Sequence, residues 1–253
     1  MPEIITRTLG DMPLVKPGDD LAALILAALA REELALADGD VVVLAQKIVS
    51  KAEGRLVALA SVTPGAEAVA LAARTDKDPR LVQLILDESS EVMRAKPGVI
   101  IVRHRLGHVG ANAGIDQSNI EHVDGETALL LPRDPDASAA RLRAALEHAS
   151  GRTVGVVIAD SLNRPWRLGT IGGAIGCAGI TVLDDRRGGL DMFGRELKVT
   201  MINRADAIAA IGTLAMGETT EGTPVALVRG LPPDGADGRA ADIMRPLEDD
   251  LFR

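Results

Sequence analysis

The chain has 253 residues, 47% of them hydrophobic, yet it holds two Phe, one Trp and no Tyr, so its core must be aliphatic and it has few rings for a base-stacking nucleic-acid platform. Lys and Arg number 28 against 36 Asp and Glu, a net charge of -8, which argues against a general phosphate-backbone footprint and requires any anionic ligand to meet a local basic cluster. Cys177 is the single cysteine; with no internal disulfide, no signal-like leader and no apolar run long enough to span a bilayer, the expected setting is the cytoplasm, away from membranes.

Helical and extended patterns alternate with short joins, which predicts a mixed α/β (α+β) globule. An extended Ile4–Thr8 comes first, followed by a helix over Leu21–Ala37 with Asp19 or Asp20 as N-cap and Asp38-Gly39 as stop. Asp40–Ala45 has the apolar run of a buried strand. Thr63-Pro64 and Asp78-Pro79 are cap-plus-proline helix starts, the second opening a helix over Pro79–Ser89. Pro97-Gly98 introduces a strand over Val99–Arg103, and Gly107–Asn119 has no clean period and is expected to be an irregular loop. A helix is predicted from Pro135 to about Ala149, then a strand over Thr153–Ala159 that ends on Asp160. The stretch Asn163–Gly194 is dense in Gly, Arg and Asp, richer than a plain connection requires, and the chemistry is expected there. Extended Glu196–Ile202, a helix near Ala205–Ala215 and a strand over Pro224–Val228 complete the body. Residues 1–230 read as one domain and 231–253 as a C-terminal tail with a short helix, loosely attached and packed on the same domain.

No Walker-type phosphate loop is present, and the glycine-rich run Gly172–Gly179 does not have the placement of a dinucleotide fingerprint. Those glycines admit two readings: tight packing between elements, or a bare backbone that lets phosphate approach. Asp116, Asp160 and Glu218 each border an apolar element and a Gly or Asn, as a Mg²⁺ site shared with nucleotide phosphates would want, although isolated carboxylates are usually solvated. Arg164 and Arg167 flank Pro165-Trp166, Arg186-Arg187 precede Gly188-Gly189, and Lys47 and Lys51 follow a buried strand. In an acidic chain this clustering suits a carboxylate or phosphate ligand, the alternative being a solvated face. His104 and His108 read as strand and turn rather than a metal pair, and Cys177 reads as buried filler.

Several blocks, in order, carry a resemblance: Val43–Arg55 (VLAQKIVSKAEGR), Ala111–Asn119 (ANAGIDQSN), Ile158–Arg167 (IADSLNRPWR), Ala174–Ile180, Leu183–Arg186, Asp191–Gly194 and Met216–Glu218. Together they resemble the coenzyme F420-0:L-glutamate ligase (F420-0 γ-glutamyl ligase) family over nearly the whole chain. The resemblance implies a two-lobed α/β fold without a P-loop, forming a homodimer with its groove close to the subunit interface. It implies a GTP-dependent ligase that joins L-glutamate to coenzyme F420-0 and adds further γ-linked glutamates, with Mg²⁺ or Mn²⁺ (two ions) and K⁺ as helper. By the same resemblance, Asp116, Asp160, Ser161 and Glu218 match metal positions, Glu218 standing where the family typically has Gln. GTP positions match Met12, Pro13, Leu14, Val15, Gln46, Lys47, Lys51, Asn119, Met216, Gly217, Glu218, Thr219, Thr220, Glu221, Gly222 and Thr223. Asp116, Asp160 and Lys51 are the expected catalytic residues, and Arg164, Arg167 and Arg186 the expected contacts for the coenzyme phosphate and glutamate carboxylates. Two alternatives stay open: a glutamyl ligase for another cofactor acid such as a folate or pterin, and a non-catalytic nucleotide or deazaflavin carrier.

Overall fold

The computed structural model describes residues 3–122, 125–163, 166–231 and 237–251. Its centre is a mixed five-stranded sheet in the order β1-β12-β2-β8-β9, made of Ile5–Thr8 (β1), Val41–Ala45 (β2), Gly155–Asn163 (β8), Thr170–Ala178 (β9) and Val225–Arg229 (β12). Strands β2 and β8 are parallel, and the other neighbours are antiparallel. Strands β2 and β12 and the first half of β8 are buried on both faces, which is why they read as continuous apolar runs rather than alternating ones.

Side-chain alternation sorts the two faces. Val42, Leu44, Val156, Ile158, Val225 and Leu227 meet α1 (Leu21–Arg31) and α5 (Pro135–Ser150) through Ile25, Leu29, Leu142 and Leu146. Val41, Val43, Val157, Ala159, Ala226 and Val228 face α6 (Arg204–Met216) through Ala205, Ile208 and Ala209. A third apolar cluster joins α3 (Ala66–Thr75) and α4 (Pro79–Asp87) to β5 (Val99–His104) and to β7 (Thr127–Leu129). Each fully buried aliphatic side chain contributes roughly 1.5–3 kcal/mol.

Two of the expected caps are as read: Asp20 accepts from Ala23 N and Asp78 from Arg80 N. Asp134 caps α5, one residue ahead of Pro135. Helix α1 stops at Arg31, short of Ala37, because Glu33 turns left-handed (φ 53) and Leu34 N bonds back to Leu29 O, a Schellman closure. Strand β8 runs past Asp160 to Asn163, and the expected loop after it holds strand β9. The glycines hid that strand, since they carry no side chain to show a period. They are packing positions: a Cβ on Gly172 would meet Ala209 O at 2.6 Å, and one on Gly176 would meet Pro135 O at 2.4 Å. Helices α6 and α5 therefore close on β9 from opposite sides. Strand β4 (Ser89–Lys96) also escaped notice, being weakly patterned and bulged twice against β5.

The expected irregular loop contains β6 (Val109–Ala111) and a left-handed run at Asn112, Ala113 and Gly114 (φ 52, 55 and 66) that leads to Asp116. Residues 237–251 are pinned rather than loose. Asp136 accepts from Cys177 N, Ala240 N and Ala241 N, Gly238 N bonds to Ile180 O, and Arg103 pairs with Asp250 at 2.9 Å. His104 ends β5 and stacks on His108 at 4.8 Å; burial and the neighbouring His104 push His108 down to about 3, so it is neutral. Cys177 is buried, and burial raises its thiol pKa, so it is filler. Among the described residues no helix is long and apolar enough to cross a membrane.

Candidate active site

Helix α2 (Gln46–Ala52) starts directly from the end of β2, so the central sheet fixes where its first residues stand. Gln46 and Ser50, and likewise Lys47 and Lys51, are four apart and so share helix faces. Both lysines reach the loop at 116–119. Lys47 Nζ lies 3.4 Å from Asp116 Oδ2 and donates to Ser118 O and Ser118 Oγ at 3.4 and 3.3 Å. Lys51 Nζ donates to Asn119 O at 2.8 Å. The Asp116 backbone is fixed from another side by reciprocal bonds with Leu129 (3.0 and 2.8 Å).

The loop then reaches the turn after α6. Asn119, itself left-handed (φ 56), donates Nδ2 to Thr219 O at 3.2 Å. Thr219 N and Oγ1 donate to Glu221, and Thr223 Oγ1 closes onto Met216 O at 2.8 Å. Glu218 accepts from Thr170 Oγ1 at 2.7 Å, tying the turn to the first residue of β9. Opposite β9 on β8 stand Asp160, paired with Gly173, and Ser161, paired with Gly172, just beyond a bulge after Ile158. Ser161 N donates to Asp160 Oδ1 at 2.9 Å.

Electrostatics shows that these elements converge. Burial and then the charge of Asp116 push the Asp160 carboxyl up to about 7; Ser161 N–H and Lys47 oppose this, and Glu218 adds to it. Burial raises Asp116 too, against Lys47 and Gln46. Lys51 is lowered, by burial first and then by Lys47. The site thus holds two cations beside carboxylates that repel one another, an arrangement that suits a charged ligand.

Among the described residues no three His, Cys, Asp or Glu side chains gather closely enough to hold a metal ion by themselves. The donor chemistry nonetheless fits a hard cation: the groups are oxygens only, and the mutual repulsion of Asp116 and Asp160 is what a divalent charge would relieve. Such a site would need oxygens from the ligand to complete it.

Of the residues singled out by sequence, Asp116, Asp160, Ser161, Gln46, Lys47, Lys51, Asn119 and the turn 216–223 are brought together. Met12 and Val15 instead pack against the first core, with Pro13 and Leu14 exposed. Arg186 is exposed at the end of the ribbon of β10 (Leu183–Asp185) and β11 (Met201–Asn203), paired with Asp184 at 2.7 Å, and is not joined to the cluster by a hydrogen bond or ion pair among the described residues. Arg167 is exposed, and Arg164 lies outside the described residues. Sequence reasoning passed over Ser50, Ser118 and Thr170. The i,i+4 spacing from Gln46 marks Ser50 once α2 is known, whereas Thr170 carries no local signal.

The sequence profile described as F420-0:Gamma-glutamyl ligase matches residues 10–230. A protein named Coenzyme F420:L-glutamate ligase from Methanothermobacter thermautotrophicus is 46% identical over 244 residues, 96% of each chain. Proteins of the same name are 40% identical in Methanocaldococcus jannaschii (96% of this chain, 94% of that one) and 44% identical in Methanopyrus kandleri (94% and 93%).

Proposed function

The chain belongs to the F420-0:Gamma-glutamyl ligase family, and from that premise we propose that it joins L-glutamate to coenzyme F420-0, and γ-linked glutamate to the first product, at the expense of GTP. The observation that carries the reading is the convergence of Lys47, Lys51, Asp116 and Asp160 from three separate elements into one charged cluster.

A carboxylate does not condense with an amine in water, because its oxygen is a poor leaving group. Transfer of the γ-phosphoryl of GTP to a carboxylate oxygen of the acceptor breaks the bond to the β-phosphate, releases GDP and leaves an acyl phosphate. The glutamate amine then attacks the carbonyl carbon, forming the amide as phosphate departs and the amine proton is lost. Lys47 and Lys51, which both reach the loop at 116–119, contact phosphate oxygens and orient the γ-phosphoryl. Asn119 and the turn 216–223 frame the same nucleotide. Asp116, Asp160, Ser161 and Glu218 would hold Mg²⁺ or Mn²⁺ together with phosphate oxygens. Held there, such an ion would supply charge neutralisation on the transferring group.

A second copy of the chain is the proposed partner. Leu190, Met192, Phe193 and Val199 stand between 68% and 96% exposed near the β10–β11 ribbon, more apolar surface than a lone molecule gains by showing to water. The test of the activity is an acceptor panel: purified protein with GTP, Mn²⁺, L-glutamate and either F420-0 or a folate or pterin acid, read by mass spectrometry. Glutamate addition to F420-0 supports the reading. Addition only to a pterin acid, or ligand binding with no GDP formed, would replace it with another ligase or a carrier.

A further inference from the structure

Gln46 is 1% exposed and Ser50 is fully buried. One turn apart on α2, they form a directed chain: Ser50 Oγ donates to Gln46 Oε1 at 2.9 Å, and Gln46 Nε2 donates to Asp116 Oδ2 at 3.0 Å. The direction is dictated by chemistry. A carboxylate oxygen can face only the NH₂ end of the amide, and the hydroxyl then serves the oxygen end. The Ser50 hydroxyl therefore holds the amide in one orientation, and the amide holds the carboxylate. Lys47 Nζ approaches the same Oδ2 at 3.4 Å. Oδ1 keeps no partner among the described residues and stays available to a ligand. With the Asp116 backbone bridged to Leu129, the side-chain torsions are the freedom left to this carboxylate, and Gln46 removes it.

We infer that Gln46 is a positioning residue for Asp116 rather than a nucleotide contact, and that Ser50, through Gln46, completes the device. Its amide is sealed from solvent at 1% exposure and engaged at both ends, which turns it toward Asp116 and away from a solvent-borne nucleotide.

The kinetic arm of the test rests on the ligase reading, and the structural arm does not. Gln46→Met keeps the volume and removes both hydrogen bonds. It is expected to lower kcat by about 10- to 100-fold, the size of a lost hydrogen bond to a charged group, with KM for GTP unchanged within about twofold. Ser50→Ala lowers the same parameter by a smaller factor. The double variant equals Gln46→Met alone, because Ser50 acts only through the amide. Crystal structures of both single variants show the Asp116 carboxylate rotated from its wild-type orientation. A selective rise in KM for GTP with kcat intact, additive effects in the double variant, or an unmoved Asp116 would overturn the inference. Should Gln46→Met fail to fold, Ser50→Ala carries both readouts. If the wild-type protein makes no glutamylated product, the ligase reading fails, and the orientation of Asp116 in the variants still decides the positioning role.

Discussion

Asp160 and Glu88 are carboxylates in poorly solvated places whose surroundings push them opposite ways. Asp160, raised to about 7 by burial and the charge of Asp116, keeps a proton in the folded state that the unfolded chain loses near the ordinary carboxyl value of 3.8. The folded state then binds the extra proton between those values, so stability falls as pH rises through them. Asp160→Asn is expected to stabilise the ligand-free protein at pH 8 by on the order of 1–2 kcal/mol after discounting for partial solvation, seen as a raised melting temperature, with no gain near pH 4, and to abolish product formation. A variant no more stable at pH 8 contradicts the crowded-carboxylate description. For Glu88, burial favours the neutral acid. The contact with His104 (3.4 Å) and the charges of Arg105 and Arg55 outweigh it and hold the carboxyl at about 2. Because the folded value lies below the unfolded 4.5, this stability is fully present above about pH 4.5 and is lost as pH falls toward 2. Glu88→Gln is expected to cost about 3 kcal/mol at pH 7 in denaturant titrations and to make unfolding less acid-dependent between pH 5 and 2. An unchanged acid profile would count against it.

At the level of elements, what could be read from the chain depended on side chains advertising their environment. β2, residues 156–159 of β8 and residues 225–228 of β12 are runs of Val, Ile, Leu and Ala, and Asp20, Asp78 and Pro135 mark helix starts with ordinary cap chemistry. β9 is buried through glycine, so its burial leaves no apolar trace, and the extension of β8 past Asp160 depends on that unseen partner. The site divides the same way. Asp116, Asp160, Lys47 and Lys51 stood out by their sequence neighbours, while the bond from Thr170 to Glu218 spans 48 residues and has no local signature. Gly176→Ala places a Cβ against the Pro135 carbonyl at the start of α5, which cannot yield without moving the helix. The expected loss is about 2–4 kcal/mol, visible as a lowered denaturation midpoint. A neutral effect would mean that α5 does not rest on β9 as described.

Over the whole molecule, the scarcity of rings becomes a question of placement. Trp166 and Phe193 are 89% and 87% exposed, so the described core is entirely aliphatic and these two rings face outward. Trp166 also stands left-handed (φ 65), an uncommon state for a bulky residue. If the apolar ribbon is where two copies meet, the double substitution Met192→Glu and Phe193→Asp converts dimer to monomer in light scattering after size exclusion, while each chain stays folded. A wild-type monomer, or a variant that remains dimeric, rejects that surface. Activation of a carboxylate by phosphoryl transfer from GTP is the step we propose for the cluster of Lys47, Lys51, Asp116 and Asp160. It is tested most directly by supplying F420-0 labelled with oxygen-18 in its terminal carboxylate, with GTP, Mn²⁺ and L-glutamate. The account predicts that the released phosphate carries one labelled oxygen and the new amide keeps the other. Phosphate with no label, alongside amide product or GDP release, would contradict it.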